Sequence, residues 1–353
     1  ASAMANVGHG RKYRHSKILT SFGRQVTRIT TKTSKMMALK RRVNFNIDRL
    51  RLCYRQPQQL FTDVTSCDND TEIDCGDFRL KIVDNGRTDD DEQQPTNATA
   101  QIRYRDGDKD VTFGILELNN SAKYRGKCFL SLDQPALYDC QGRDVCTGEK
   151  YNHLCYLPYI TSTLGLVLNN ITLLEIAADT NVNPVPTIRR MVHDHPNYDM
   201  ILRGKKVADA NRKIGGYYET YGRSRERQDR YPTLNFRSEK DPEYPKLRIY
   251  NKTREILESS GKKYEAAWNE YGNHAVFRAE IELRNESYRQ WLSHIAPIKP
   301  EWGCLEDAEH LLLSEEYRTA IWLYWTRRML YFRPKGRRKE VIDLADIISG
   351  EAC

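Results

Sequence analysis

Ile171-Thr-Leu-Leu-Glu-Ile-Ala-Ala-Asp179 is the stretch whose reading decides the fold. Its aliphatic and β-branched residues favour a strand. Glu175 and Asp179 stand an even number of positions apart, so they project from one face of that strand. Two carboxylates on one face of an apolar strand are costly unless a cation sits between them. Downstream, in Val276-Phe-Arg-Ala-Glu-Ile-Glu-Leu-Arg284, Arg278, Glu280 and Glu282 share one face, while Phe277, Ala279, Ile281 and Leu283 take the other. A third strand, Pro245-Lys-Leu-Arg-Ile-Tyr-Asn-Lys252, turns Leu247 and Ile249 to a core and projects Arg248, Tyr250 and Lys252 together. Spacing alone fits two readings. One is a polar sheet face laced with Arg–Glu pairs; the other is a site whose oxygens hold a hard divalent ion, Mg²⁺ or Mn²⁺.

Outward from these strands, Arg42 to Tyr54 alternates apolar and polar residues and starts a sheet. Residues 63–98 are rich in Asp, Asn, Thr and Gly and read as a solvent loop that carries the acidic run 89–92. Val111 to Leu118 and Lys127 to Leu132 read as further strands. Thr187 to His193 has helical character and stops before Pro196. Leu305 to Tyr331 reads as one long helix, followed by a basic turn from Arg333 to Lys339 and an amphipathic segment from Val341 to Ile348. The expectation is an α+β protein with a curved, antiparallel-rich sheet core. Its parts are a basic arm over 1–45, a core domain over 46–300 and a C-terminal helical segment over 301–353.

Charge is distributed unevenly along the 353 residues, whose formal net charge is +8. No acid occurs from Ala1 to Ile47, whereas Arg11, Lys12, Arg14, Lys17, Arg24, Arg28, Lys32, Lys35, Lys40, Arg41 and Arg42 all fall there. Such an arm suits the phosphates of DNA, which it would grip without reading sequence. The bland alternative is a solvated tail, with Ala1-Ser-Ala before Met4 a cloning remnant. Nine cysteines show no CxxC knuckle among Cys67, Cys75, Cys140, Cys146 and Cys155, which points to free thiols rather than structural zinc. No stretch approaches the roughly 18 apolar residues of a membrane span, and no apolar core follows the basic N-terminus. A cytoplasmic protein without a membrane partner is expected, in which Asn97-Ala-Thr99 and Asn251-Lys-Thr253 carry no glycan.

Four motifs recur in one order: Leu174-Glu-Ile-Ala-Ala-Asp179, Pro232-Thr-Leu-Asn-Phe-Arg-Ser238, Leu247-Arg-Ile-Tyr-Asn-Lys252 and Phe277-Arg-Ala-Glu280. Together they resemble the replication initiation factor family, whose members include rolling-circle initiators of plasmids, relaxases of conjugative transposons and initiators of filamentous phages. In that family a strand with two spaced acids precedes segments of the form YIGSRxS and RIYDK and a strand with Arg-x-Glu. The likeness runs from about residue 46 to 285, and Asn46-Ile-Asp-Arg-Leu-Arg-Leu52 is similar to the family's opening strand. Two departures stand out: Phe236-Arg-Ser replaces a glycine-containing middle, and Glu175 stands where Asp is commoner.

The resemblance implies a sheet core of the rolling-circle initiator type, distantly akin to nucleases with a His-hydrophobic-His pair. It implies Glu175, Asp179 and Glu280 as ligands of Mg²⁺ or Mn²⁺ and Tyr250 as nucleophile, with Tyr244 the second choice. A free tyrosine has a pKa near ~10, so it needs a cation beside it, and Arg248 and Lys252 supply charge on its face. The implied reaction is DNA nicking and strand transfer at a replication or transfer origin, through a 5′-phosphotyrosyl link that leaves a 3′-OH. A single-stranded or hairpin nick site, a homodimer and a helicase partner fit that role. Arg223, Arg225, Arg227 and Arg230, interleaved with Tyr217, Tyr218, Tyr221 and Tyr231, suit stacking and backbone contact with an extruded strand. His193-Asp-His195 has a charged middle residue and reads as a polar helix end rather than a metal pair. The rivals are a non-catalytic origin- or operator-binding protein and a metal-dependent nuclease that uses water.

Overall fold

The computed structural model describes residues 43–353 apart from 88–94, 107–108, 134–135, 138–141, 144–149, 152, 194–195, 208–215, 224–229, 239–240, 242, 261–273, 337–339 and 353. Strands come first: β1 (Val43–Arg55), β2 (Glu72–Asp74), β3 (Phe78–Asp84), β4 (Asn97–Asp106), β5 (Lys109–Asn119) and β6 (Lys127–Leu132). A two-stranded ribbon, β7 (Gly142–Arg143) with β8 (Lys150–Tyr151), and the long β9 (Val167–Thr180) follow. Then come β10 (Tyr198–Leu202), β11 (Lys205–Lys206), β12 (Tyr217–Arg223), β13 (Arg230–Phe236), β14 (Lys246–Asn251), β15 (Phe277–Arg284), β16 (Leu330–Pro334) and β17 (Ile342–Asp343). The helices are α1 (Gln58–Ser66), α2 (Leu157–Thr163), α3 (Val185–His193), α4 (Lys252–Glu255), α5 (Asn285–Ile295), α6 (Ala308–Leu311), α7 (Glu315–Met329) and α8 (Leu344–Ile348).

Eleven strands form one antiparallel sheet in the order β12-β13-β14-β15-β9-β1-β6-β5-β4-β3-β2. A smaller sheet runs β11-β10-β16-β17. The protein is therefore α+β with an antiparallel core, and the three strands singled out in the sequence, β9, β14 and β15, lie side by side near the middle of one half of the large sheet.

Two stretches differ from their sequence reading. Residues 63–98 carry β2, β3 and the start of β4 instead of one loop. Phe78, Leu80 and Ile82 alternate into the core there, a short signal diluted by the turn-forming residues around it. The acidic run 89–92 lies outside the described residues. Leu305 to Tyr331 is likewise not one helix. The chain breaks after α6, Ser314 caps α7 by accepting from the Tyr317 amide at 3.4 Å, and Leu330 to Phe332 leave the helix to pair with β10.

One face of the central strands is apolar: Phe45, Ile47, Leu174, Ile176, Ala178, Leu247, Ile249, Ala279 and Ile281 are all buried. Helix α7 covers it. Trp322 is fully buried, meets Phe45 edge-on with 5.5 Å between ring centroids, and donates its indole N–H to the Ala279 carbonyl at 3.0 Å. The far side of α7 is covered as well, because the Tyr317 and Tyr288 hydroxyls of α7 and α5 share a 2.7 Å hydrogen bond and Trp291 packs on Tyr317 and Tyr324. A helix buried on several sides carries apolar residues all round. No helix among the described residues is long and apolar enough to cross a membrane.

Trp322→Phe removes one buried hydrogen bond and part of the largest side chain on this face. The expected loss is about 2–4 kcal/mol, read as a lower urea midpoint at unchanged slope. A loss below half a kcal/mol would show that α7 does not anchor the sheet.

Candidate functional site

Opposite α7, the same strands present charge. Register places Arg278 across from Asp179, Glu282 across from Glu175, and Arg248 across from Glu280. On β1 the register slips between Ile47 paired with Ile176 and Arg49 paired with Glu175, so that Asp48 is an extra residue. Ordinary alternation after the core residue Ile47 puts Asp48 on the charged face, and the bulge lets Arg49 follow it there. Asp48, Glu175, Asp179, Arg278 and Glu280 are all buried.

Two linked clusters result. In the first, the Arg278 guanidinium grips Asp179 with a fork, Nε to Oδ1 at 2.7 Å and Nη2 to Oδ2 at 2.9 Å, and its Nη1 donates to Asp48 Oδ1. Planar two-point pairing of this kind is the strongest way to hold a buried carboxylate. In the second, Arg248 Nη2 donates to Glu175 Oε1 at 3.2 Å and to Glu280 Oε1, Arg49 Nη1 reaches Glu175 Oε1 at 3.5 Å, and the Tyr250 hydroxyl donates to Glu280 Oε2 at 2.9 Å. Asp48, Glu175 and Glu280 each offer an oxygen within 4.8 Å of the others, a spacing that one cation can bridge.

The implied ligand set is thus regrouped. Glu175 and Glu280 come together as expected; Asp179 gives both oxygens to Arg278, and Asp48 takes the third place. The sequence contains a signal for Asp48, which follows the core residue Ile47 and so takes the other face, and for the bulge beside it. Core positions on β1 switch from odd numbers, Val43, Phe45 and Ile47, to even ones, Leu50, Leu52 and Tyr54, which requires one inserted residue between them. Alternation in β15 puts Arg278 on this face, whereas its tie to both β9 and β1 depends on cross-strand register.

Burial, reinforced by the charge of Glu280 and opposed by Arg248 and Arg49, pushes the Glu175 carboxyl from 4.5 up to about 8. Its Oε2 is buried and accepts no hydrogen bond. Burial and the Glu280 charge also raise Tyr250 well above its ordinary value, against a smaller pull from Arg278, so the resting hydroxyl is a neutral donor. Lys252 does not sit at that hydroxyl. The strand ends at Asn251, whose side chain caps α4, and Lys252 Nζ pairs with Glu255 at 2.8 Å while lying 5.7 Å above the Tyr250 ring. Tyr244 meets Trp325 of α7 and so packs on the opposite side of the sheet from the carboxylates.

Arg41, Arg42, Arg225, Arg227 and His195 lie outside the described residues, and Arg223 is placed only as the end of β12. On β12 and β13 the tyrosines divide between faces. Tyr217 and Tyr221 both donate to Glu219, at 2.7 Å and 2.5 Å, whereas Tyr218 pairs across Asn235 in the row that leads to Arg248 and stacks under Arg237 at 4.9 Å. The six cysteines among the described residues, Cys53, Cys67, Cys75, Cys128, Cys155 and Cys304, are free. Comparison of the sequence with protein-family models and with curated proteins gives no match.

Arg278→Met would strand two buried carboxylates and should cost about 3–5 kcal/mol in urea unfolding. Near-neutral behaviour would mean that Asp179 and Asp48 reach water. Glu175 gives a pH test. A carboxyl whose folded pKa is raised contributes stability that is complete below its unfolded value near 4.5 and is lost as pH rises toward about 8. Glu175→Gln should match the native chain near pH 5 and exceed it at pH 8 by more than about 1 kcal/mol. Melting temperatures across that range check it, and a constant difference would contradict the raised carboxyl.

Proposed function

We propose that this chain nicks and rejoins DNA strands in the manner of rolling-circle initiators and relaxases, with Tyr250 as nucleophile. The observation that carries the reading is the hydrogen bond from the Tyr250 hydroxyl to Glu280, because Glu280 belongs to the carboxylate group that is spaced for one divalent ion. The oxygen-only donor set of three buried carboxylates fits Mg²⁺ or Mn²⁺. When bound, the ion would neutralise charge on a non-bridging oxygen of the scissile phosphate. The metal ligands in this proposal are Asp48, Glu175 and Glu280, with Asp179 holding Arg278 in place.

The protein's own groups do the rest. Glu280 Oε2 takes the phenolic proton as the tyrosine oxygen bonds to phosphorus; the bond from phosphorus to the 3′ oxygen breaks, and that oxygen takes a proton from water. Phosphodiester energy stays in the 5′-phosphotyrosyl link, so the step reverses without ATP. Arg248, half exposed beside the hydroxyl, can meet the phosphate, and the basic arm, Arg223, Arg225, Arg41 and Arg42 would track the backbone. An origin in DNA, a homodimer, a helicase partner and a cytoplasmic setting belong to the same proposal.

One observation favours a second reading. Each carboxylate of the cluster already faces a guanidinium, which is what a non-catalytic DNA-binding protein with a structural charge layer would also show. Covalent trapping separates the two. With Mn²⁺ and a randomised single-stranded oligonucleotide pool, the full chain should give a denaturation-resistant adduct. Tyr250→Phe should abolish the adduct and change DNA affinity by less than about twofold, since only a hydroxyl is lost. Absence of any adduct from the native chain would leave the binding-protein reading, and an adduct that survives Tyr250→Phe would move the nucleophile elsewhere.

A further inference from the structure

We propose that the Arg248 guanidinium is a built-in cation that keeps the place of a divalent ion among Asp48, Glu175 and Glu280, so that ion and guanidinium exclude one another. The inference rests on the divalent-ion reading of this cluster and adds its regulation. Arg248 Nη2 reaches both Glu175 Oε1, at 3.2 Å, and Glu280 Oε1. Those two residues and Asp48 are the ones whose oxygens converge. An ion bridging Glu175 and Glu280 at the ~2.1 Å of Mg²⁺ contacts would compete with this nitrogen for their oxygens.

The two arginines of the face differ in their freedom to leave. Arg278 is fully buried and held by the Asp179 fork, so its departure would strand Asp179 and Asp48. Arg248 has 44% of its side chain exposed and binds its two carboxylates through a single nitrogen. The buried layer holds four carboxylates, Asp48, Glu175, Asp179 and Glu280, and the guanidinium of Arg278, which pairs with Asp48 and Asp179. Compensation for Glu175 and Glu280 comes from the rim, through Arg248 and the still more exposed Arg49. A divalent ion would bring more charge to these carboxylates than Arg248 does. Glu282, which also hydrogen-bonds Glu175, has its own cations in Lys246 at 2.7 Å and Arg284 at 3.1 Å. Once displaced, Arg248 returns to the exposed side of β14, where it is available to a phosphate.

Mn²⁺ binding to the full chain, followed by loss of the free-ion electron paramagnetic resonance signal, tests this without DNA. Arg248→Gln should bind Mn²⁺ about tenfold tighter than the native chain, because a competing charge is removed from the site. Arg248→Lys keeps the charge and should stay within about threefold of native, so it supplies the comparison if the glutamine variant folds poorly. Adding Glu280→Gln to either variant should remove the site. Equal or weaker Mn²⁺ binding in Arg248→Gln would overturn the exchange, as would tight binding that survives Glu280→Gln. These outcomes are independent of covalent trapping: an adduct without ion exchange would defeat only this inference, and ion exchange without an adduct would defeat only the nicking reaction.

Discussion

The buried pairing of Arg278 with Asp179 and Asp48 is the interaction on which the charged half of the sheet depends. It joins three adjacent strands, β15, β9 and β1, through side chains where the backbone ladders already join them. A buried carboxylate or guanidinium alone is costly; here each has a partner of opposite sign at hydrogen-bond distance. With that end of the cluster closed, Glu175 and Glu280 are left to be balanced from the rim by Arg248 and Arg49. The rigid pair and the exchangeable pair are therefore consecutive on the same strands, and their difference is one of burial rather than of residue type.

Much of this layout is visible in the sequence because strand geometry has a period of two. The alternation in Phe277 to Arg284 assigns every side chain of β15 to its observed face, and the even spacing of Glu175 and Asp179 puts those two on one face of β9. The sequence does not show the cross-strand register directly, and register decides who meets whom. Pairing Arg278 with Asp179 rather than Glu175 follows from the β9–β15 alignment, which no local pattern specifies. Strand β1 shows the same limit: Asp48 takes the charged face by ordinary alternation after Ile47, but the change of core parity that brings Arg49 there as well is fixed by the register with β9. Short elements failed differently. Inside residues 63–98 the three core residues of β3 are outnumbered by turn-formers, and the end of α7 is set by Leu330 to Phe332 finding a strand partner in β10, far away in sequence.

The tyrosine illustrates how a correct face assignment can mislead about chemistry. Tyr250 does project with Arg248, but its hydroxyl meets a carboxylate, and the nearest lysine in sequence covers its ring instead of its oxygen. Positive charge in the sequence neighbourhood therefore does not lower this phenol. Burial and Glu280 raise it, and the only counterweight of note is Arg278 from the next strand. The hydroxyl therefore rests as a neutral donor to Glu280.

The two faces of the central strands are also tied mechanically. Ala279 lies between Arg278 and Glu280 on β15, and its carbonyl accepts the indole N–H of Trp322 from α7. Arg318, one turn earlier on α7, donates to the Phe45 carbonyl on β1, three residues before Asp48. Strand positions that carry the charged cluster are thus fixed from behind by hydrogen bonds as well as by apolar packing, at β15 and at β1 alike. A buried guanidinium fork tolerates little displacement, since its energy comes from two parallel contacts that must both stay short. Helix α7 supplies that precision, which is the physical reason why a segment distant in sequence belongs to the same unit as the candidate site.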